Sequence, residues 1–176
     1  MSIPQWYAGQ VITADAANAR NPRLIVQQND QTVNNSTTLV NSEITFTPEP
    51  NAVFAYELFI SYSAVDGGDF KWAWNAPGAL LASFTAGYAA TAGTASADTG
   101  SLIIFRRPGN TTARIAGGTD TTSPPGRFHS AYDRGTFSTD GTNSSVTMQF
   151  AQNTAHASDT ILRGGNQTRL LYWRIG

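Results

Sequence analysis

The sequence lacks cysteine entirely and is poor in charged residues. Its 176 residues include no Cys, which excludes disulfide bridges, thiolate zinc sites and cysteine nucleophiles. Only 13% of the residues are charged, about half of the roughly 25% that is usual in globular proteins. Lys and Arg number 11, Asp and Glu number 12, and the formal net charge is -1. Because no excess positive charge is present to attract phosphates, we expect no nucleic-acid partner.

Long apolar runs are also missing. No stretch approaches the roughly 18 apolar residues that a membrane-spanning helix needs, so we expect no membrane insertion. The opening residues MSIPQW lack the basic segment and apolar run of a signal peptide, and we do not predict one.

Motifs for catalysis or metal binding are scarce. His129 and His156 lie in unrelated contexts, and a metal site would need both of them joined by distant carboxylates. The stretch VDGGDF places Asp66 and Asp69 in a glycine-rich turn with too few oxygen ligands for a calcium loop, so we interpret it as a hairpin turn. No G-x-S-x-G elbow occurs. We predict no catalytic residue, no metal and no cofactor, although two of the twelve acids could still meet as a glycosidase pair.

Strand-like alternation dominates the rest of the chain. In VFAYELFISYS, alternate residues are apolar and predict one buried face: Phe54, Tyr56, Leu58, Ile60 and Tyr62. In FKWAWNAP, Phe70, Trp72 and Trp74 share one face, and we predict that they are core residues. Because a short turn separates the two segments, we predict that they pair as a hairpin.

Many further short segments have strand character, and turn residues separate them. They include RLIVQQ, STTLV, EITFTP, ALLASFTAGYA, SLIIFRRP, FHSAYDRGTFST, SSVTMQFAQN and TRLLYWRI. This spacing predicts an all-β fold, an antiparallel jelly-roll sandwich. The small-residue tract from Thr85 to Ser101 is interpreted as a loop, with close packing between copies of the chain as the alternative.

The N-terminal stretch WYAGQVITADAANARNP has a different character. Thr13 can cap a short helix over ADAANAR, Asp15 lies in its first turn, and Asn21 and Pro22 end it. We therefore predict a short N-terminal arm with a short helix.

This opening stretch resembles the start of many small virion proteins of tailed bacteriophages, especially those that infect actinobacteria. The residues that match are Ala8, Gly9, Gln10, Thr13, Ala14 and Asn18. The order of the later strands is also similar. The resemblance implies a jelly-roll domain broadly like those of complement C1q and tumour necrosis factor, which commonly form trimers. It further implies a location in the virion, after assembly in the host cytoplasm.

From these observations we predict two parts. Residues 1–22 form a docking arm, and residues 23–176 form a displayed jelly-roll domain. The arm residues expected to make contacts are Trp6, Tyr7, Gly9, Gln10, Thr13 and Asn18. Tyr88 and Tyr132 are candidates for contacts with glycans or with neighbouring subunits.

The predicted function is that of a non-enzymatic structural protein on the phage surface. Capsid decoration, a head fibre, a minor tail protein and a tail fibre all fit this design. The partners would be two further copies in a homotrimer, other capsid or tail proteins, and host surface carbohydrate. The alternatives are a β-sandwich polysaccharide depolymerase and a free carbohydrate-binding module, which would not need the arm.

Overall fold

The computed structural model describes residues 7–18, 21–89, 103–106, 113–118, 120–121 and 123–176, with side chains described outside 15–16, 80–89 and 103–106. In chain order the elements are α1 (Ala14–Asn18), β1 (Arg23–Val26), β2 (Gln31–Val33), β3 (Val40–Phe46), β4 (Val53–Ala64), β5 (Phe70–Asn75), β6 (Ala79–Ala89), β7 (Ile103–Arg106), β8 (Arg114–Ala116), β9 (His129–Thr139), β10 (Val146–Ala151), β11 (Thr160–Leu162) and β12 (Arg169–Arg174). The part of the chain that the structure describes contains no apolar helix of membrane-spanning length.

The strands form two sheets, and the named strand pairs are antiparallel. The large sheet has the order β1-β12-β4-β9-β6-β7, and β11 joins it by pairing with β4 and with β2. The small sheet has the order β3-β10-β5-β8. Both sheets contribute side chains to one buried cluster. The prediction of an antiparallel β-sandwich is therefore confirmed.

Aromatic side chains fill the space between the sheets. The residues predicted for the buried face of β4 are each no more than 2% exposed, and Trp72 and Trp74 are 0% and 7% exposed. Tyr56 meets Trp74 edge to face, with ring centroids 5.7 Å apart. Tyr62 stacks on Phe70 at 4.5 Å. The predicted core faces are confirmed, because burial of one face imposes a period of two on the sequence.

The predicted hairpin between β4 and β5 is wrong. The two strands belong to different sheets, and the turn between them carries the chain across the core. Asp69 ends that turn with a φ of 53°, and its Oδ1 accepts a hydrogen bond from the distant Gly118 N at 3.0 Å. This long-range contact holds the turn out of the plane of the large sheet. The aromatic faces of the two strands therefore face each other instead of lying side by side.

The predicted strand ALLASFTAGYA is confirmed as β6, so the interpretation of the overlapping tract from Thr85 as a loop is wrong in its first part. Strand β6 continues to Ala89 and pairs with β9 on one side and β7 on the other. Hydrogen bonds to both neighbours stabilise an extended backbone that small residues alone would not favour. Residues 90–102 lie outside the described residues.

Two charged side chains, one from each sheet, form an ion pair in the core. Asp133 of β9 and Arg114 of β8 have fully buried side chains, with Arg114 Nε 3.0 Å from Asp133 Oδ2. Trp72 and Trp74 direct Nε1 toward the same oxygen, both at 3.4 Å, and Tyr56 donates its hydroxyl to Oδ1 at 3.2 Å. One carboxylate thus links four strands of the two sheets. A buried charge needs such a counterion and hydrogen-bond donors to offset the loss of its hydration.

Replacing Asp133 by Asn should destabilise the fold strongly. The amide keeps the shape of the side chain but leaves the Arg114 charge buried without its counterion, which costs about 3–5 kcal/mol. Urea unfolding monitored by tryptophan fluorescence measures the loss. The matched control Asp66→Asn lies on the exposed turn and should stay within about 0.5 kcal/mol of the parent. Equal stabilities for Asp133→Asn and the control would contradict the role of the pair.

Candidate functional site

The arm presents large apolar side chains to solvent. Tyr7, Val11 and Ile12 are 72%, 83% and 53% exposed. Gly9 has a φ of 82°, so it can make the tight turn in which Gln10 N donates to Tyr7 O at 3.1 Å. The Gln10 side chain closes the same turn by accepting from Tyr7 N at 3.1 Å. These contacts give the segment its shape but leave its apolar surface uncovered.

The helix α1 has only five residues. Ala17 N donates to Thr13 O at 3.0 Å, and Asn21 N donates to Asn18 O at 3.3 Å. Isolated helices need about 12–15 residues to be even marginally stable in water. Such a turn needs a surface to pack on. Of the predicted contact residues, Trp6 lies outside the described residues, and Tyr7, Gly9, Gln10, Thr13 and Asn18 follow one another along this segment.

The outer face of the large sheet is unusually apolar. Leu24 of β1 is 60% exposed, and Val53 and Phe59 of β4 are 38% and 36% exposed. Leu171 and Trp173 of β12 lie on the same face and are half-buried. Aromatic and aliphatic side chains in such a cluster are typical of protein interaction surfaces.

The outer face of the small sheet has the opposite character. Uncharged polar side chains bond to each other across the strands, as in the contact of 2.7 Å between the hydroxyls of Thr45 and Thr147. Gln149 likewise donates to Asn41 Oδ1 at 2.8 Å. Because these groups satisfy one another and both Asn41 and Thr45 are exposed, this face is suited to solvent. The contrast marks the outer face of the large sheet as the candidate interaction surface.

Tyr132, which the sequence analysis named as a candidate for a glycan or subunit contact, lies on that candidate surface, and the contact itself stays a prediction. Its ring is 4.8 Å from that of Phe59, its cross-strand neighbour. Burial raises the pKa of Tyr132, and hydrogen bonding to Glu57 raises it further. The backbone of Tyr88 pairs with Ala131 in the large sheet, and its side chain lies outside the described side chains. The sequence patterns did not single out Phe59, although a large ring on the face of β4 opposite the predicted core face was a signal.

Two buried carboxylates, those of Asp69 and Asp120, accept hydrogen bonds from backbone N–H groups. Asp69 accepts from Gly118 N, and burial raises its pKa. Asp120 Oδ2 accepts from Arg127 N at 2.7 Å. Within the described ranges, no three His, Cys, Asp or Glu side chains group closely enough to hold a metal ion.

The two histidines have different surroundings. His129 is 7% exposed, and its ring lies beside that of Tyr62 with the ring centroids 5.2 Å apart. Its Nε2 is buried and has no hydrogen-bond partner among the described residues. His156 accepts from Ser158 N through Nδ1 at 3.0 Å and packs against Gly67 and Gly68. Both contacts are explained by packing and turn formation.

Comparisons with known proteins found only distant structural similarity. No family model matches the chain, and no curated protein does. The chain is similar to a chain of the tripod from the baseplate of bacteriophage Tuc2009, with 11% identity over 97% of this chain and 73% of that chain and a TM-score of 0.35. A structure of infectious bursal disease virus, Gt strain, is similar with 12% identity over 99% and 43% and a TM-score of 0.24. No conclusion about function rests on similarity this weak.

His129 should make the fold sensitive to mild acid. Burial lowers its pKa in the folded chain, whereas the unfolded chain binds a proton near pH 6.5. Because the unfolded state then binds more protons, the free energy of unfolding should fall as the pH drops from 7 to 5. His129→Phe keeps the ring beside Tyr62 and should flatten this slope in urea unfolding at several pH values. Equal slopes for parent and variant would contradict the assignment.

Proposed function

We propose that the chain is a non-enzymatic structural protein of a tailed-phage virion, in which the arm docks and a jelly-roll domain is displayed. The exposed arm carries the proposal. Its apolar side chains are in solvent, its hydrogen bonds described above join residues three or four positions apart, and its sequence resembles that of phage virion proteins. An ordered domain preceded by an uncovered apolar segment fits a protein that attaches to a larger particle.

The strand pairing supports a jelly roll. Strands β3 to β10 form nested antiparallel pairs: β3 with β10, β4 with β9, β5 with β8 and β6 with β7. This is the pattern of one long hairpin rolled up so that its strands alternate between two sheets. Strands β1, β2, β11 and β12 extend the large sheet beyond β4.

The strand register shows which chain segments lie toward each end of the sandwich. Arg23, where the arm joins β1, pairs with Tyr172, and Tyr172 pairs with Tyr56 near the start of β4. His129 pairs with Tyr62 near the other end of β4. The twelve residues of β4 span about 40 Å at roughly 3.3 Å per residue. The point where the arm joins β1 and the loop before β9 therefore lie toward opposite ends of β4, which supports docking at one end and display at the other.

The acidic side chains favour a structural role over catalysis. Asp133 pairs with Arg114, and Asp30 pairs with Arg163 at 2.8 Å. Asp69 accepts a backbone N–H from another segment of the chain. Each of these carboxylates holds parts of the fold together and presents no paired acid and base to a groove.

Removing residues up to Asn21 should abolish attachment to particles without unfolding the domain. None of the arm residues that the structure describes belongs to the buried core cluster, so the melting temperature should change by only a few degrees. Co-sedimentation with particles that lack the protein measures attachment. If the truncated chain melts many degrees lower or aggregates, the arm belongs to its own core, and the attachment surface must be elsewhere.

Point variants sharpen this test because they leave the chain length unchanged. Val11→Asp together with Ile12→Asp should weaken co-sedimentation strongly, since both side chains offer apolar area to a partner. The matched control Val40→Asp changes a residue of the domain that is 39% exposed and should bind particles like the parent. Equal binding by all three proteins would contradict docking through these side chains.

The displayed domain should be a homotrimer. The apolar surface near the arm end of the large sheet, formed by Leu24, Val53, Leu171 and Trp173, is area that a closed ring of copies would cover. Multi-angle light scattering should give about 56 kDa, three times the 18.8 kDa chain. Leu24→Glu should lower this mass, because burying an unpaired carboxylate is costly. A monodisperse monomer of the parent at micromolar concentration would contradict the trimer but not the fold.

A further inference from the structure

On the outer face of the large sheet, two arginines each pack over an aromatic ring. Both contacts lie toward the end of the sheet away from the junction with the arm, which we call the distal end. The Arg169 guanidinium carbon is 4.9 Å from the ring centre of Phe59, and that of Arg163 is 4.7 Å from the ring centre of Phe128. Phe128 is 56% exposed. Arg169 is the cross-strand neighbour of Phe59, and Arg163 Nε donates to Ser63 Oγ at 2.9 Å. The two pairs are thus four residues apart along β4, about 13 Å.

Short polar side chains separate the two pairs. Ser61 of β4 lies opposite Ser130 of β9 in the register, and both side chains are smaller than the rings on either side. The Ser61 hydroxyl donates to Gln167 Oε1 at 3.2 Å. Tyr132 adds a second ring beside Phe59. The result is a shallow trough, defined by Phe59, Arg169, Ser61, Ser130, Arg163 and Phe128, with a polar floor and aromatic walls.

The two arginines differ in how their charges are balanced. Arg163 is held on three sides, by Ser63 Oγ, by Asp30 Oδ2 at 2.8 Å and by Pro125 O at 3.1 Å, so its charge is neutralised and its position fixed. Arg169 is exposed and makes one long contact of 3.5 Å with Asn166 O. No carboxylate forms an ion pair with Arg169 among the described residues. A positive charge is therefore available at one wall of the trough.

We propose that this trough binds an acidic oligosaccharide. Aromatic walls suit the apolar faces of sugar rings, the serine and glutamine floor suits their hydroxyls, and Arg169 can form charge-assisted hydrogen bonds with a carboxylate of the ligand. The proposal rests on the displayed domain of the proposed function. It adds the site of host contact, on the outer face of the large sheet and toward the end away from the arm junction.

Calorimetric titration of the full chain with a hexamer of galacturonic acid tests the site, with maltohexaose as the uncharged comparison. The acidic hexamer should bind about tenfold more tightly than maltohexaose, which equals about 1.4 kcal/mol for one charge-assisted contact. Higher salt should reduce this preference. Failure of the acidic hexamer to bind, or equal affinity for both sugars, would overturn the proposal.

Variants of the trough locate the binding. Arg169→Gln should remove the preference for the acidic hexamer, and Ser130→Tyr should block binding by filling the floor. The matched control Lys71→Gln removes a cation from the small sheet and should leave both affinities unchanged. Both trough variants alter outward-facing residues, so their melting temperatures should match that of the parent. Unchanged binding in both trough variants would overturn the location.

Attachment to particles separates this proposal from the function on which it rests. Arg169→Gln and Ser130→Tyr should co-sediment with particles like the parent, because the arm is intact. If the parent attaches through its arm but binds no acidic hexamer, the trough proposal fails and the proposed function stands. If Ser130→Tyr instead lowers the mass seen by light scattering, the face is a contact between copies of the chain and the proposal is overturned.

Discussion

The carboxylate of Asp133 determines how the two sheets meet. It lies on the inner face of β9 and is reached by Arg114 and two tryptophans from the small sheet and by Tyr56 from the large sheet. A buried charge without its partner costs several kcal/mol. A shift of β9 by two residues would keep its apolar face inward but would move Asp133 about 7 Å from Arg114 and leave both charges in the core without a partner. The polar cluster therefore favours one register among those that the apolar pattern alone would allow.

That register also fixes what each outer face presents. With Asp133, Ala131 and Phe137 facing inward, Tyr132 must face outward, where it meets Phe59. Phe59 in turn lies beside Arg169 on β12. The candidate interaction surface and the core are therefore formed by opposite faces of the same paired strands. The small sheet obeys the same rule, and among its outward residues Thr45 bonds to Thr147 and Gln149 bonds to Asn41. One face is thus available for partners and the other for solvent.

The sequence predicted those features that depend on local periodicity. Alternation in β4 and β5 identified Tyr62 and Trp72 as core residues, because a half-buried strand must repeat every two residues. It could not identify partners, so β4 and β5 were expected to pair, whereas the contact of Asp69 with Gly118 sends the chain across the core. Strands β2 and β11 have three residues each, which is too short for alternation to be recognised in the sequence. Their extended backbone is stabilised by hydrogen bonds to neighbouring strands.

The candidate surface was harder to foresee than the core. Tyr132 could be suspected as an exposed aromatic, but the role of Arg169 depends on a neighbour more than a hundred residues away in the sequence. The arm stood out because its composition differs from that of the strands. The exposure of Val11 and Ile12 is a feature of the structure, since the same two side chains would suit a buried segment equally well.

Attachment of the chain to a virion is the central claim, and quantitative mass spectrometry of purified particles of the phage that carries the gene tests it most directly. The account predicts that the chain is present at a copy number divisible by three, with hundreds of copies for a capsid location and a handful for a tail location. Absence of the chain from particles purified free of cell lysate, while it is abundant in the lysate itself, would contradict the account.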